Sequence, residues 1–94
     1  MKISKSGKDS RQLERHLKGV SNHWRIEILN LISKNEGITL YQISQSLEGN
    51  IKTISEHTKK LSQAGLVSKK YRGRNVIHSL TPYGRRIYKF IETF

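Results

Sequence analysis

Residues Ile38 to Gly65, ITLYQISQSLEGNIKTISEHTKKLSQAG, read as two short helices joined by a tight turn. In the first, Leu40, Ile43 and Leu47 recur at three- and four-residue spacing, and Thr39 stands ahead of them as an N-cap. Gly49 and Asn50 break the pattern: glycine tolerates positive φ, and the asparagine oxygen can cap a second helix. From Ile51 the period resumes with Ile54, Thr58, Leu61 and Ala64 on one side, ending at Gly65, a residue suited to the left-handed position after a helix. The other side carries Lys52, Thr53, Ser55, Glu56, Lys59 and Gln63. This is the pattern of a helix-turn-helix, in which the second helix enters the DNA major groove; an ordinary antiparallel helix pair is the bland alternative.

The charge distribution supports a polyanionic partner. The chain holds 18 Lys and Arg against 7 Asp and Glu, and the excess is uneven. Residues 1–50 carry eight basic and five acidic side chains, whereas residues 51–94 carry ten and two. The basic half begins at the expected recognition helix, where cations at phosphates give affinity by releasing condensed counterions. The absence of cysteine excludes disulfides and thiolate metal sites. No apolar run approaches the roughly 20 residues that span a bilayer, and the start, MKISKSGKDS, lacks a signal peptide's apolar stretch, so a cytoplasmic protein without membrane attachment is expected. Asp9 is the only aspartate, and no glycine-rich phosphate loop or paired-acid motif occurs, which argues against an enzyme.

Outside the central stretch, residues 1–9 are polar and aperiodic and are expected to form a flexible basic tail, with residues 10–94 as one domain. Asp9 or Ser10 caps a first helix that runs to about Gly19, with Leu13, Leu17 and Val20 on one face and His16 beside them. Ser21 or Asn22 opens a second, whose broad apolar arc of Trp24, Ile28, Leu31 and Ile32, widened by Ile26 and Leu29, suits the centre of a core. After Gly65 the pattern becomes that of a β-hairpin, Leu66–Tyr71 and Val76–Leu80, with Lys69, Lys70, Arg72 and Arg74 on its first strand and tip. Tyr71 is expected to pack across the strands. Thr81 and Pro82 start a last helix whose stripe of Tyr83, Ile87, Phe90, Ile91 and Phe94 needs a cover. Packing against the first helix and a twofold-related copy supplies one, making Leu13, Leu17, Ile87, Phe90, Ile91 and Phe94 the expected homodimer interface. An anionic membrane surface is the rival occupant.

The expected architecture is mainly α with a small β-hairpin: a winged helix-turn-helix of about five helices and a two- or three-stranded wing. At this level the chain resembles ArsR-type repressors, with MarR-type regulators as relatives. SNHWRIEILNLI resembles that family's D-P-T-R-L-x-I-L helix through Arg25, Ile28 and Leu29. NIKTISEHTKKLSQAGLVSKK resembles S-x-x-T-V-S-x-H-L-x-x-L-x-x-A-G-L-V followed by a basic wing, through Thr53, Ser55, His57, Leu61, Ala64, Gly65, Leu66 and Val67. Thr58 stands where that pattern has Leu, and Lys60 replaces an apolar residue. Family metal sensors carry C-x-C before the turn or Asp, His and Glu on the last helix. Here Thr39 and Tyr41, and Tyr83, Arg85, Tyr88 and Glu92, correspond, so the resemblance implies a non-metal-sensing member without a cofactor.

The implied function is a dimeric, sequence-specific repressor on double-stranded DNA with a near-palindromic operator. Lys52, Thr53 and Glu56 are the candidate base readers, suited respectively to guanine, the thymine methyl and cytosine. Glu56 equally suits a pair with Lys52 or Lys60. Asn50, Ser55, Lys59, Lys69, Lys70, Arg72 and Arg74 are the candidate backbone contacts. The alternative is a nucleic-acid architectural protein without sequence readout, or a winged-helix protein-interaction module.

Overall fold

The computed structural model describes residues 2–94. Five helices, α1 (Ser10–Val20), α2 (His23–Lys34), α3 (Leu40–Ser46), α4 (Ile51–Gln63) and α5 (Pro82–Thr93), frame a small antiparallel sheet. Its strands are β1 (Ile38–Thr39), β2 (Val67–Arg72) and β3 (Asn75–Leu80), in the order β1-β3-β2. The wing is therefore three-stranded. Its third member is the two-residue segment before α3, too short to show any alternation in sequence.

Each helix begins where a side chain satisfies its free N–H groups. Asp9 and Gln12 form a reciprocal capping box, as do Thr39 and Gln42, while Asn22, Asn50 and Thr81 cap the other three. Such caps contribute about 1 kcal/mol each. The turn between α3 and α4 departs from expectation. Its left-handed residue is Glu48, with φ 52°, and not Gly49. Gly49 lies close to the Ile54 side chain, where a Cβ would stand 2.9 Å from Ile54 Cδ1 and would require that side chain to shift.

The core is built around α2, whose Ile28, Leu29 and Ile32 are fully buried. Ile43 of α3, Ile54 and Leu61 of α4, and Leu66, Val67 and Leu80 of the sheet close over them. Ile26, expected to widen the α2 face, lies outside this cluster and is exposed. Thr58 occupies its core position without an unmet hydrogen bond, because its hydroxyl donates to the Ser55 carbonyl one turn back at 2.9 Å. On α1 the buried residues are His16, Gly19 and Val20, whereas Leu17 is 55% exposed.

The end of α4 is where the rest of the chain converges. Gly65 takes φ 78° just beyond the helix, the left-handed conformation that glycine adopts without penalty. His16 Nδ1 donates to the Ala64 carbonyl at 2.7 Å, and the Thr81 hydroxyl donates to the Gly65 carbonyl at 2.6 Å. Gly19 of α1 lies against Ala64, and Gly84 of α5 lies against the Leu66 carbonyl; a Cβ at either glycine would come within about 2 Å of its neighbour. Contrary to expectation, α1 and α5 do not pack broadly on each other. Helix α1 packs on α4 and α2, and α5 packs on α2 and β3.

Residues 2–9, expected as a free tail, fold back on themselves. The backbones of Lys2 and Asp9 form an isolated antiparallel β-bridge, Ile3 N–H donates to the Lys8 carbonyl, and the Lys8 ammonium sits 3.7 Å over the Tyr83 ring. Met1 lies outside the described residues.

One cross-tie links α4 to α1 and α2. Arg25 Nε donates to His57 Nδ1 at 3.3 Å, and Arg25 Nη1 donates to the carbonyls of Lys18 and Gly19 at the end of α1. The His57 pKa is lowered from 6.5 by desolvation first, then by the charges of Arg25, His23 and Lys60. His78, buried under the wing with Nδ1 donating to the Ile38 carbonyl at 3.0 Å, is likewise lowered, mainly by desolvation.

Two expectations follow from these contacts. Gly84→Ala must push the Leu66 backbone aside, and overpacking of this kind costs about 1–3 kcal/mol, so the thermal midpoint by circular dichroism should fall by roughly 4 °C or more. Both histidines bind protons less readily folded than unfolded, so stability is full above the unfolded value of 6.5 and declines as pH falls below it. Melts between pH 7.5 and 5.5 should show that decline, and His57→Asn, which keeps an acceptor for Arg25 but does not titrate, should make it shallower.

Candidate nucleic-acid interface

Burial of Ile54, Thr58 and Leu61 fixes which side of α4 faces outward. At 3.6 residues per turn the opposite side carries Lys52, Glu56, Lys59 and Gln63, spaced i, i+4, i+7 and i+11, and all four are exposed. Thr53, also exposed, and the half-buried Ser55 flank that line on either side. The candidate base readers thus share the first two turns of the helix. Glu56 is unpaired: among the described residues the ion pairs are Glu14–Lys18 and Glu36–Arg85, and neither lies on α4.

Asn50 has a structural task. Its Oδ1 accepts from the N–H groups of Lys52 and Thr53 at 2.9 and 3.3 Å, so only its amide NH2 remains for a phosphate. The cap also holds the first turn of α4 at a positive dipole end, a setting that favours an approaching anion.

The wing places its cations by alternation. Val67, Lys69 and Tyr71 lie on one face, opposite Leu80, His78 and Val76, while Ser68, Lys70 and Arg72 lie on the other. Lys69 belongs to the α4 side, where its pKa is lowered by desolvation and then by the charge of Lys59. Lys59 of the helix and Lys69 of the strand are thus near enough for the charge of one to act on the other. Lys70 and Arg72 lie on the other face of the hairpin, and Arg74 occupies the exposed hairpin turn beside Gly73, whose φ is 63°. The four wing cations therefore form two groups around the hairpin, a division that a count of charges along the sequence conceals.

Tyr71 corrects the sequence reading. It pairs in register with Val76, but the ring is 85% exposed, because this end of the hairpin extends beyond the core. It stands on the Lys69 face of the hairpin, exposed and close in sequence to Lys70, Arg72 and Arg74. Its position toward the loop, away from the buried Val67–Leu80 pair, is the signal that marks it.

On the last helix, the stripe of α5 divides in two. Ile87 and Ile91 pack against the core with Tyr88, whereas Phe90 and Phe94 are 60% and 97% exposed and meet each other edge to face at 5.6 Å. Leu13 is half-buried and Leu17 exposed on α1. No helix among the described residues is long and apolar enough to cross a membrane, and no cluster of His, Cys, Asp or Glu there could hold a metal ion.

The comparisons with known proteins agree with this geometry. The chain superposes on the homodimeric winged helix-turn-helix DNA-binding domain of a possible ArsR-family transcriptional regulator from Mycobacterium bovis with a TM-score of 0.80 and 22% identity, covering 93% of this chain and 86% of that one. HlyU from Vibrio cholerae gives 0.82 and 23% identity, with 97% and 96% covered. The transcriptional repressor PagR of Bacillus anthracis gives 0.77 and 23%, with 86% and 93% covered. No curated protein matches the chain by sequence. Residues 22–69, just over half of the chain, match the family described as bacterial regulatory protein, arsR family. The match spans α2, the helix-turn-helix and the start of the wing, and the chain belongs to the ArsR family of DNA-binding transcriptional regulators, which are not enzymes.

Proposed function

We propose that the protein is a sequence-specific homodimeric repressor that reads a near-palindromic operator in the cytoplasm. The observation that carries this reading is the exposed line Lys52–Glu56–Lys59 on α4, presented by a buried opposite face and tied to no internal acid or base. Lys52, Thr53 and Glu56 contact bases. Lys59 and Lys69 hold a phosphate between helix and wing, with Asn50 and Ser55 contacting the backbone near the start of α4. Lys70, Arg72 and Arg74 contact backbone farther out along the hairpin. A carboxylate at Glu56 would be repelled by phosphates, so its value lies in discrimination, by accepting from cytosine N4.

A second copy covers α1 and α5 through Leu13, Leu17, Ile87, Phe90, Ile91 and Phe94. The solved Mycobacterium bovis domain, homodimeric by its description, supports this arrangement. A twofold dimer would present two recognition helices to half-sites about 34 Å apart or a multiple of that, and occupancy alone suffices to block a promoter.

Selection from a random duplex library at about 150 mM salt, where phosphate-only binding is weakened, should enrich a near-palindrome. Lys52→Ala, Thr53→Ala and Glu56→Ala should each relax preference at particular positions, by about 1–3 kcal/mol where a bidentate contact is lost. Arg72→Ala or Arg74→Ala should weaken all sequences alike and lower the salt slope by about one unit. Phe90→Asp with Phe94→Asp should convert the dimer to monomer in sedimentation. Tight, salt-sensitive binding with no enriched sequence would refute operator recognition.

A further inference from the structure

Lys59 and Lys60 follow one another on α4 and are both exposed, yet about 100° of rotation separates them, and they fall on opposite sides of the outward line through Glu56 and Gln63. Lys59 lies toward the wing, where its charge acts on Lys69. Lys60 lies toward α1 and α2, and it lines an open crevice of about 480 Å³ together with Arg15 and Lys18 of α1 and Arg25 of α2. The close seating of Gly19 on Ala64 brings α1 to this flank. One acid, Glu14, also lines the crevice, and Lys18 pairs with it at 3.6 Å. Arg15, Arg25 and Lys60 have no ion-pair partner among the described residues. Three hydrogen bonds fix the Arg25 guanidinium through Nε and Nη1 and leave Nη2 without one among the described residues. His57 reports the crowding of charge here: after desolvation, its pKa is lowered by Arg25, His23 and Lys60.

We infer that this crevice is a second phosphate-binding flank, where Arg15, Arg25 and Lys60 hold the DNA strand on the side of the major groove opposite the strand met by Lys59 and the wing. The major groove is about 12 Å wide, and a helix with its side chains is about 10–12 Å across. A helix seated there fills the groove, and its two flanks face two different strands. The backbone contacts proposed above lie at the start of α4, on its Lys59 flank and on the wing, which leaves the other strand without a partner. Lys60 supplies one: it stands a single turn beyond Glu56, so the crevice is continuous with the exposed line that carries the base readers. An open site whose cations come from three helices suits a passing polyanion better than an enclosed small anion.

The inference rests on α4 lying in the groove, as proposed above, but its first test needs no operator. On a random-sequence duplex, Lys60→Ala and Arg15→Ala should each weaken binding and lower the salt slope by about one unit, whereas Lys34→Ala, at the far end of α2, should change neither. Both test positions are exposed, and Arg25, which carries internal hydrogen bonds, is left in place. The strand assignment is read with methylphosphonates, which remove the charge of single phosphates, placed along each strand of a selected operator. Lys60→Ala should lose sensitivity on one strand and Lys59→Ala on the other. Native slopes in both Lys60→Ala and Arg15→Ala would overturn the flank, as would loss of sensitivity on the same strand for Lys59→Ala and Lys60→Ala. Saturable pyrophosphate shifts at Arg15 and Lys60 in ¹H–¹⁵N spectra, with duplex slopes unchanged by either substitution, would overturn it in favour of a small anion. A duplex selection that enriches no sequence while both slopes still fall would remove operator recognition and support the flank.

Discussion

The turn from Ala64 to Leu66 holds the molecule together. Helix α4 ends there, the wing begins there, and both terminal helices dock there. His16 and Gly19 bring α1 to Ala64, Thr81 and Gly84 bring α5 to Gly65 and Leu66, and Leu66 itself is fully buried. Backbone carbonyls serve as the acceptors. A carbonyl needs no particular side chain at its own position, so the geometry is enforced from the partners: a ring nitrogen, a hydroxyl, and two residues with no Cβ to interfere. The chain thereby fastens the far end of the recognition helix and leaves its first two turns free.

That arrangement explains why so much of α4 can be polar. A helix buried on one narrow side gives up most of its circumference to solvent, and here only Ile54, Thr58 and Leu61 are committed to the core. Even Thr58 is polar, and it fits because its hydroxyl returns to its own helix backbone. With the far end clamped and Asn50 capping the near end, the orientation of the helix does not depend on its outward side chains. They are consequently free to be chosen for what they meet outside.

The elements of the fold were legible because their signals are local. Thr39, Asn50 and Thr81 with Pro82 cap helices in sequence as they do in space, and the strands of the hairpin lie within a residue of the apolar pattern. What sequence could not supply was the direction of packing. Leu17 is more apolar than His16, yet His16 is buried, because a hydrogen bond to Ala64 becomes available only once α1 crosses the end of α4. The stripe on α5 read as one surface, but it divides because Ile87 and Ile91 face the core cluster while Phe90 and Phe94 do not. Ile26 and Tyr71 are exposed for different reasons: Ile26 faces away from the buried side of α2, and Tyr71 sits where the hairpin has passed the edge of the core. The candidate interface was likewise legible as a set of residues on α4, while the division of wing cations emerged only from strand register.

Electrostatics and stability pull against each other at the interface. Residues 51–94 hold ten basic and two acidic side chains, and of their cations only Arg85 finds an acid, Glu36, among the described residues. The rest repel one another, most visibly where Lys59 approaches Lys69 and helps to depress its pKa. Screening by salt softens this repulsion but does not remove it where the groups are partly desolvated. A phosphate placed between the two ammonium groups would reverse the sign of the local interaction, turning a cost of the free protein into part of the attraction for its partner. The same charges therefore oppose the compact unbound state and favour the bound one, and the buried junction at Ala64–Leu66 is what allows the fold to carry that opposition.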